Sequence, residues 1–238
     1  MSFLLSLSRL VILVLFTVFV STLEILAVPF HRTGRIFHQL ARFHARGVLA
    51  LSGVKLTTSG TGGLDLSRNY VFVSNHASYF DIPAVLAGIP QDIRLVYKKE
   101  LHRVPFFGWG LKLGKTYIAI DRGQSSDAMQ TIEATARRIR EGSSVLLFAE
   151  GTRSADGKLQ PFKRGPFNLA VKAGIPVVPV TIIGSNRVLP RDAWKVAPGP
   201  ISLVVDAPIP PPGVNGKEAE LRLRDSVRDV ILRNLERA

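Results

Sequence analysis

Residues 70–83 read YVFVSNHASYFDIP. The run 70–73 is aromatic and β-branched, which suits a short buried strand bounded by turn residues. Pro83 is tolerated in the first turn of a helix, and Asp81 is a favoured residue at a helix start. A strand that turns a polar corner into a helix is the building unit of an α/β domain. The corner also holds one of only five histidines in the chain. Five residues turn a regular helix through about 500°, so His76 and Asp81 share no helical face and meet only across a turn. Two readings are open here: the pair is chemical, or Asp81 caps the helix and His76 is an ordinary loop residue.

Working outward, short β-branched runs alternate with helical stretches. Strands are expected at 54–58, 93–97, 117–120, 145–148, 177–182 and 201–205 in addition to 70–73. A helix is expected over 127–141, with Met129, Ile132, Ala136 and Ile139 as its buried stripe and Gly142 ending it. Another is expected at 165–174, with Pro166 near its start and Gly174 just past its end. The pattern predicts an α/β domain, a mixed sheet flanked by helices. SGTGG at 59–63 precedes no helix and reads as a turn, and the proline-rich 207–213 reads as a connector into a charged C-terminal helix.

The first thirty residues are different in kind. LVILVLFTVFVSTL, residues 10–23, lies between Arg9 and Glu24 and has further apolar residues on both sides. These 14 residues fall short of the ~20 that cross a hydrocarbon core, so either the flanking charges snorkel or the segment inserts part-way. The segment lacks a basic region ahead of its apolar core and an A-x-A site before Pro29, which argues against a cleaved signal peptide. The following 31–54 carries four Arg and no acid, which places everything after Pro29 on the cytoplasmic side. Ile36, Leu40, Phe43, Gly47 and Val48 fall on one helical face, and Arg35, Gln39, Arg42 and Arg46 on another. Such a basic amphipathic helix either lies on an anionic leaflet or packs its apolar face on the core, and the preceding apolar segment favours the membrane.

Across 238 residues the formal charge is +13, which implies an anionic partner or surface, and the absence of Cys excludes a thiol nucleophile, thiolate metal sites and disulfides. Polar residues at strand ends matter most, because α/β sheets bind ligands there. Three such loops stand out: SNHASYFD after 70–73, IDRG after 117–120, and AEGTRS after 145–148.

NHASYFD resembles the NHxSxxD block of the glycerolipid acyltransferase family, whose best-known members are the 1-acylglycerol-3-phosphate acyltransferases. The later blocks follow in order: VYKKELHRVPFFGWG resembles KxELxxxPxxG, GKTYIAIDR the Gly-to-Arg block, and FAEGTRS the FPEGTR block, with Ala149 where the family usually has Pro. FKRG resembles the lysine-glycine element and IPVVPV the Val-Pro block, so the match runs from about residue 54 to 185.

The resemblance implies that His76 is the general base for a lipid hydroxyl, a role that imidazole can fill at neutral pH, and that Asp81 orients it and stabilises imidazolium. It implies an acyl thioester donor, on coenzyme A or acyl carrier protein, with no metal or other cofactor. Lys98, Arg122 and Arg153 correspond to positions of the glycerol-phosphate site, where guanidinium gives phosphate a bidentate fit. Glu150, Gly151 and Thr152 belong to the same block. Glu150 is expected to position the glycerol part or hold an Arg, or else to form a surface ion pair at a strand-exit turn, and Lys163 to contact the donor. Ser78 reads as a turn residue, since the chain has no GxSxG elbow. Residues 1–52 are then a membrane-anchoring helical segment and 53–238 an acyltransferase domain, membrane-bound with its catalytic part on the cytoplasmic side.

The implied reaction gives phosphatidic acid from 1-acylglycerol-3-phosphate at its sn-2 hydroxyl; an alternative acceptor is another lyso-lipid such as lyso-ornithine lipid. A nucleic-acid module has only the charge in its favour, since few aromatics intersperse the basic clusters. A metal hydrolase lacks a second His near His76 and Asp81.

Overall fold

The computed structural model describes residues 3–30, 34–120, 135–136, 139, 142–214 and 216–238. Strands among them form one sheet: β1 (Val54–Ser59), β2 (Val71–Ser74), β3 (Ile93–Lys98), β4 (Ile118–Ile120), β5 (Ser144–Phe148), β6 (Val177–Ile183) and β7 (Gly199–Val205). Their order is β1-β7-β6-β2-β5-β3-β4, antiparallel only between β6 and β7. The expected mixed sheet is present, and each expected strand lies within two residues of its observed bounds.

β2 is buried at all four positions, and its alternation divides the core. Phe72 packs into a cluster with Phe80, Ala84 and Val85, while Val71 and Val73 enter a second with Phe167, Leu223 and Val227. Helices α1 (Phe3–Ala27), α2 (Arg35–Leu51), α3 (Asp81–Gly88) and α4 (Phe107–Gly114) precede α5 (Gly165–Ala173), α6 (Ser185–Val188) and α7 (Lys217–Glu236). α2 and α3 supply the first cluster, α5 and α7 the second. In α7 the stripe Ala219, Leu223, Val227 and Ile231 recurs every four residues, burying one face of an otherwise charged helix. Of the helix expected at 127–141, Ala136 and Ile139 are helical and buried in the second cluster, whereas Met129 and Ile132 lie outside the described residues.

The N-terminal helices depart from the expectation in three ways. α1 runs for 25 residues, so among the described residues it is the helix long and apolar enough to cross a membrane. Glu24 does not mark an interface: it is buried against α4, where a Cβ on Gly110 would lie 3.2 Å from its carboxylate oxygen. α2 buries Phe37, Ala41, Ala45 and Leu49, a stripe one position away from the expected face, while Ile36 and Phe43 stay exposed. Counting large side chains points to the wrong stripe, because two of the residues that α2 gives to the first cluster are alanines. The other face meets α1, where Phe16 lies 5.9 Å from Phe43 and packs on Gly47. Residue 52 therefore marks a change of composition and not of packing, because α2 shares the first cluster with the sheet.

Phe37 is 1% exposed and meets Tyr117 edge-on. Phe37→Ala should lower stability by about 3–5 kcal/mol, whereas Gln39→Ala, at an exposed position of the same helix, stays within about 0.5 kcal/mol. Denaturant unfolding checks this; equal, small effects would mean that α2 is not part of the core.

Candidate active site

The parallel strands β2, β5 and β3 bring their C-terminal ends to one edge of the sheet, where ligands bind in α/β folds. The corner after β2 closes on a single oxygen. Asp81 Oδ2 accepts from His76 Nδ1 at 2.7 Å, from Ala77 N–H at 2.7 Å and from Ser78 N–H at 2.9 Å. Asp81 is fully buried and is the first residue of α3, but its side chain turns back to the loop and caps no helical N–H. The capping reading is therefore corrected. With the carboxylate on Nδ1, the proton belongs on that nitrogen and Nε2 is left with a lone pair. Phe148 lies flat on the imidazole, with ring centroids 3.9 Å apart and planes 15° from parallel, which fixes the ring's second degree of freedom.

The corner is tied to both strands beside β2. Asn75 exchanges two hydrogen bonds with the Ile182 backbone of β6, at 2.9 and 2.8 Å. Ser78 Oγ donates to the Leu189 carbonyl at 2.7 Å and accepts from Phe80 N–H at 3.1 Å, so it is structural, and it reaches well beyond its own turn. On the β5 side, Ser154 N–H donates to the His76 carbonyl at 2.8 Å. Glu150 Oε1 accepts from His76 N–H at 2.7 Å and Oε2 from Gln160 N–H at 3.0 Å. Glu150 is thus a buried clamp between two loops, and among the described residues it holds no Arg and makes no surface ion pair. A buried carboxylate is retained where donors meet both oxygens, and here each oxygen has one.

The remaining expected residues are spread along the same edge. Gly151 has φ 75°, which a residue with a Cβ rarely adopts, and a Cβ there would fall 2.8 Å from the Lys163 stem. Thr152 is exposed. Arg153 lies 3.7 Å over the Tyr79 ring and donates to the Arg191 carbonyl at 2.8 Å, while Arg191 donates to the Arg153 carbonyl at 2.9 Å. Two guanidinium groups are thereby brought together beside the histidine corner. Lys98 ends β3, two strands from β2 and so roughly 10 Å away across the sheet. Arg122 lies outside the described residues.

Sequence reading missed Asn75, Tyr79, Phe148 and Arg191. The first three lie inside the quoted motifs but do not titrate near neutral pH, whereas Arg191 carries no local signal at all. Among the described residues, no group of three or more His, Asp or Glu side chains is arranged to hold a metal.

Burial pushes the Glu150 carboxyl from 4.5 up to about 7, against the two N–H donors that pull it down; the Asp81 charge adds to the rise. With the folded value above the unfolded one, the folded state keeps a proton that the unfolded chain has released between about pH 4.5 and 7. The Glu150 contribution to stability therefore falls as pH rises through that window. Thermal unfolding at the two ends should show this decline in the native chain, and Glu150→Gln should flatten it. An unchanged slope in the variant would assign the decline to other groups.

An acyltransferase family model matches residues 55–183. A chloroplastic 1-acyl-sn-glycerol-3-phosphate acyltransferase of Brassica napus is 31% identical over 166 residues, covering 69% of this chain and 46% of that protein. A 1-acyl-sn-glycerol-3-phosphate acyltransferase of Pseudomonas aeruginosa is 35% identical over 156 residues, 65% of this chain and 59% of that one. The chain spans about half the length of the curated relatives it matches. The crystal structure of the 1-acyl-sn-glycerophosphate acyltransferase PlsC from Thermotoga maritima superposes with a TM-score of 0.77 at 25% identity, covering 96% of this chain and 95% of that one. With its fold, its ordered motifs and a family match over more than half its length, the chain belongs to the acyltransferase family.

Proposed function

We propose that the protein transfers an acyl chain from acyl-CoA or acyl carrier protein to the sn-2 hydroxyl of 1-acylglycerol-3-phosphate, giving phosphatidic acid. The observation that carries this is the orientation of His76, whose Nδ1 is held on Asp81 while Nε2 is left to accept a proton. The acceptor hydroxyl gives its proton to Nε2 as its oxygen attacks the thioester carbonyl. The C–S bond then breaks, and the imidazolium returns the proton to the departing thiolate. A thioester is already activated, so the step requires no protein nucleophile, which agrees with a chain that has no Cys and a Ser78 hydroxyl committed to backbone. Asp81 lowers the barrier by stabilising the imidazolium across 2.7 Å.

In this reading the acceptor phosphate lies at Arg153, with Lys98 and Arg122 completing the positive surroundings. Arg153 presents one face to Tyr79 and one N–H to a carbonyl, so its plane is set before the ligand arrives. Gly151 and Thr152 shape the turn that carries it, and Lys163, whose stem crosses Gly151, contacts the donor. α1 holds the enzyme to the membrane, with the sheet edge on the cytoplasmic side.

His76→Ala should leave the fold intact and reduce acyl transfer by at least ~10²-fold, the usual size of a lost proton transfer. Asp81→Asn should impair turnover as well, because an amide puts the wrong partner on Nδ1. Circular dichroism and initial rates together check this, and a near-normal rate in His76→Ala would remove the mechanism.

Arg153→Ala should raise KM for 1-acylglycerol-3-phosphate by the equivalent of about 2–5 kcal/mol, far more than for a neutral-headgroup acceptor of equal chain length; Lys98→Ala should do so more weakly. Equal losses on both acceptors, or native preference for lyso-ornithine lipid, would move the assignment to that acceptor.

A further inference from the structure

One surface of the chain takes no part in the site or the core. Val104, Phe106, Trp109 and Leu113 are between 38% and 48% exposed, although they are large and apolar and fall within ten residues. Trp109 and Leu113 are four apart on α4 and share a face. Phe106 precedes the helix at φ 60°, a conformation that residues with a Cβ avoid, and its ring leans on Trp109 at a centroid distance of 5.2 Å. Backbone strain that presents an aromatic side chain to the outside instead of burying it is a mark of function. The element is held firmly from behind: Gly108 packs directly on the Leu101 carbonyl, Gly114 on the Phe37 ring, and Gly110 on α1.

Two features identify the occupant. The first is charge: Lys99, Arg103, Lys112 and Lys115 are all exposed around the apolar residues, with Glu100 the one exposed acid in that stretch. An apolar centre ringed by cations matches an anionic bilayer surface, where the rings enter the acyl boundary and the ammonium groups meet headgroups. The second is continuity. α4 packs against α1, whose Val11, Leu15 and Phe19 are likewise exposed, so the two helices extend one apolar layer.

We propose that α4, with Val104 to Phe106 leading into it, is a second membrane-docking element that presses the C-terminal end of β3 onto an anionic leaflet. It begins just past Lys98, at the end of a strand two places from β2, so docking it sets the mouth of the His76 cleft at the level of the lipid headgroups. A lyso-lipid then needs to rise only a short way to reach the base. The inference rests on the reading that the enzyme acts at a membrane, and goes beyond it by naming a docking element other than α1.

The chain has two tryptophans, Trp109 and Trp194, so Trp194→Phe makes Trp109 the sole reporter. The full-length variant would be mixed with vesicles of phosphatidylcholine with and without phosphatidylglycerol, and with vesicles whose acyl chains are brominated near the headgroup. Co-sedimentation, a blue shift of Trp109 and at least ~twofold quenching by the brominated chains are expected for residues lying in the acyl boundary, all stronger with the anionic lipid and weakened by salt. Co-sedimentation with Trp109 unquenched would overturn the proposal and leave α1 as the anchor. No co-sedimentation would overturn both. A blue shift that grows with protein concentration in the absence of vesicles would assign the face to a second copy of the chain. As an independent check, Phe106→Ser with Leu113→Ser should lower the rate on vesicle-embedded acceptor severalfold while leaving the rate on a dispersed short-chain acceptor unchanged; equal loss on both would reduce the element to a structural role.

Discussion

Everything at the active edge depends on one buried oxygen. Asp81 Oδ2 gathers a side-chain N–H and two backbone N–H groups within 2.9 Å, so the same contact closes the turn that leads into α3 and sets the imidazole tautomer. A carboxylate taken fully out of water is costly unless donors meet it, and here the donors come from the segment it must shape. Fold and chemistry are therefore not separable at this corner. A side chain without an acceptor oxygen here leaves two buried N–H donors unpaired and a histidine with no preferred tautomer.

The central position of β2 gives that corner its rigidity. Its neighbours β6 and β5 each send bonds into the loop: the Asn75 exchange with Ile182 on one side, and the Glu150 and Ser154 bonds to the His76 backbone on the other. Phe148, the last residue of β5, adds its ring face to the imidazole. An edge strand would offer one such neighbour. The histidine is thus held through backbone, ring edge and ring face, which is the preorganisation that proton transfer rewards.

The helices on the other side of the chain answer a different demand. α1 is apolar enough for lipid yet buries Glu24 and Val20 against the rest of the protein, and its Thr17 hydroxyl meets His44 of α2 at 3.0 Å. α2 in turn gives Phe37 and two alanines to the core while keeping Arg35 and Arg46 in water. The N-terminal region is a graded layer, protein-facing within and apolar or basic without, and no peptide joint separates it from the sheet.

The succession of strands, the apolar first helix and the corner at residues 74–81 were legible in the sequence, because each rests on a local period or on residues adjacent in the chain; the short helices α4 and α6 carry no such signal. Pairing of His76 with Asp81 was one of two readings there, since spacing alone allows a turn but does not make one. Two partners of Glu150 are backbone N–H groups, which every residue carries and no sequence displays. The buried face of α2 was missed by one position, because Ala41 and Ala45 look weakly hydrophobic and acquire their value only when α3 comes near. Arg191 gave no sign, being brought to Arg153 from 38 positions along the chain by the return of β6 beside β2. Local periodicity and adjacent motifs could be read from the sequence, whereas which distant backbone atoms meet, and which side of a helix faces inward, follows from how the sheet closes.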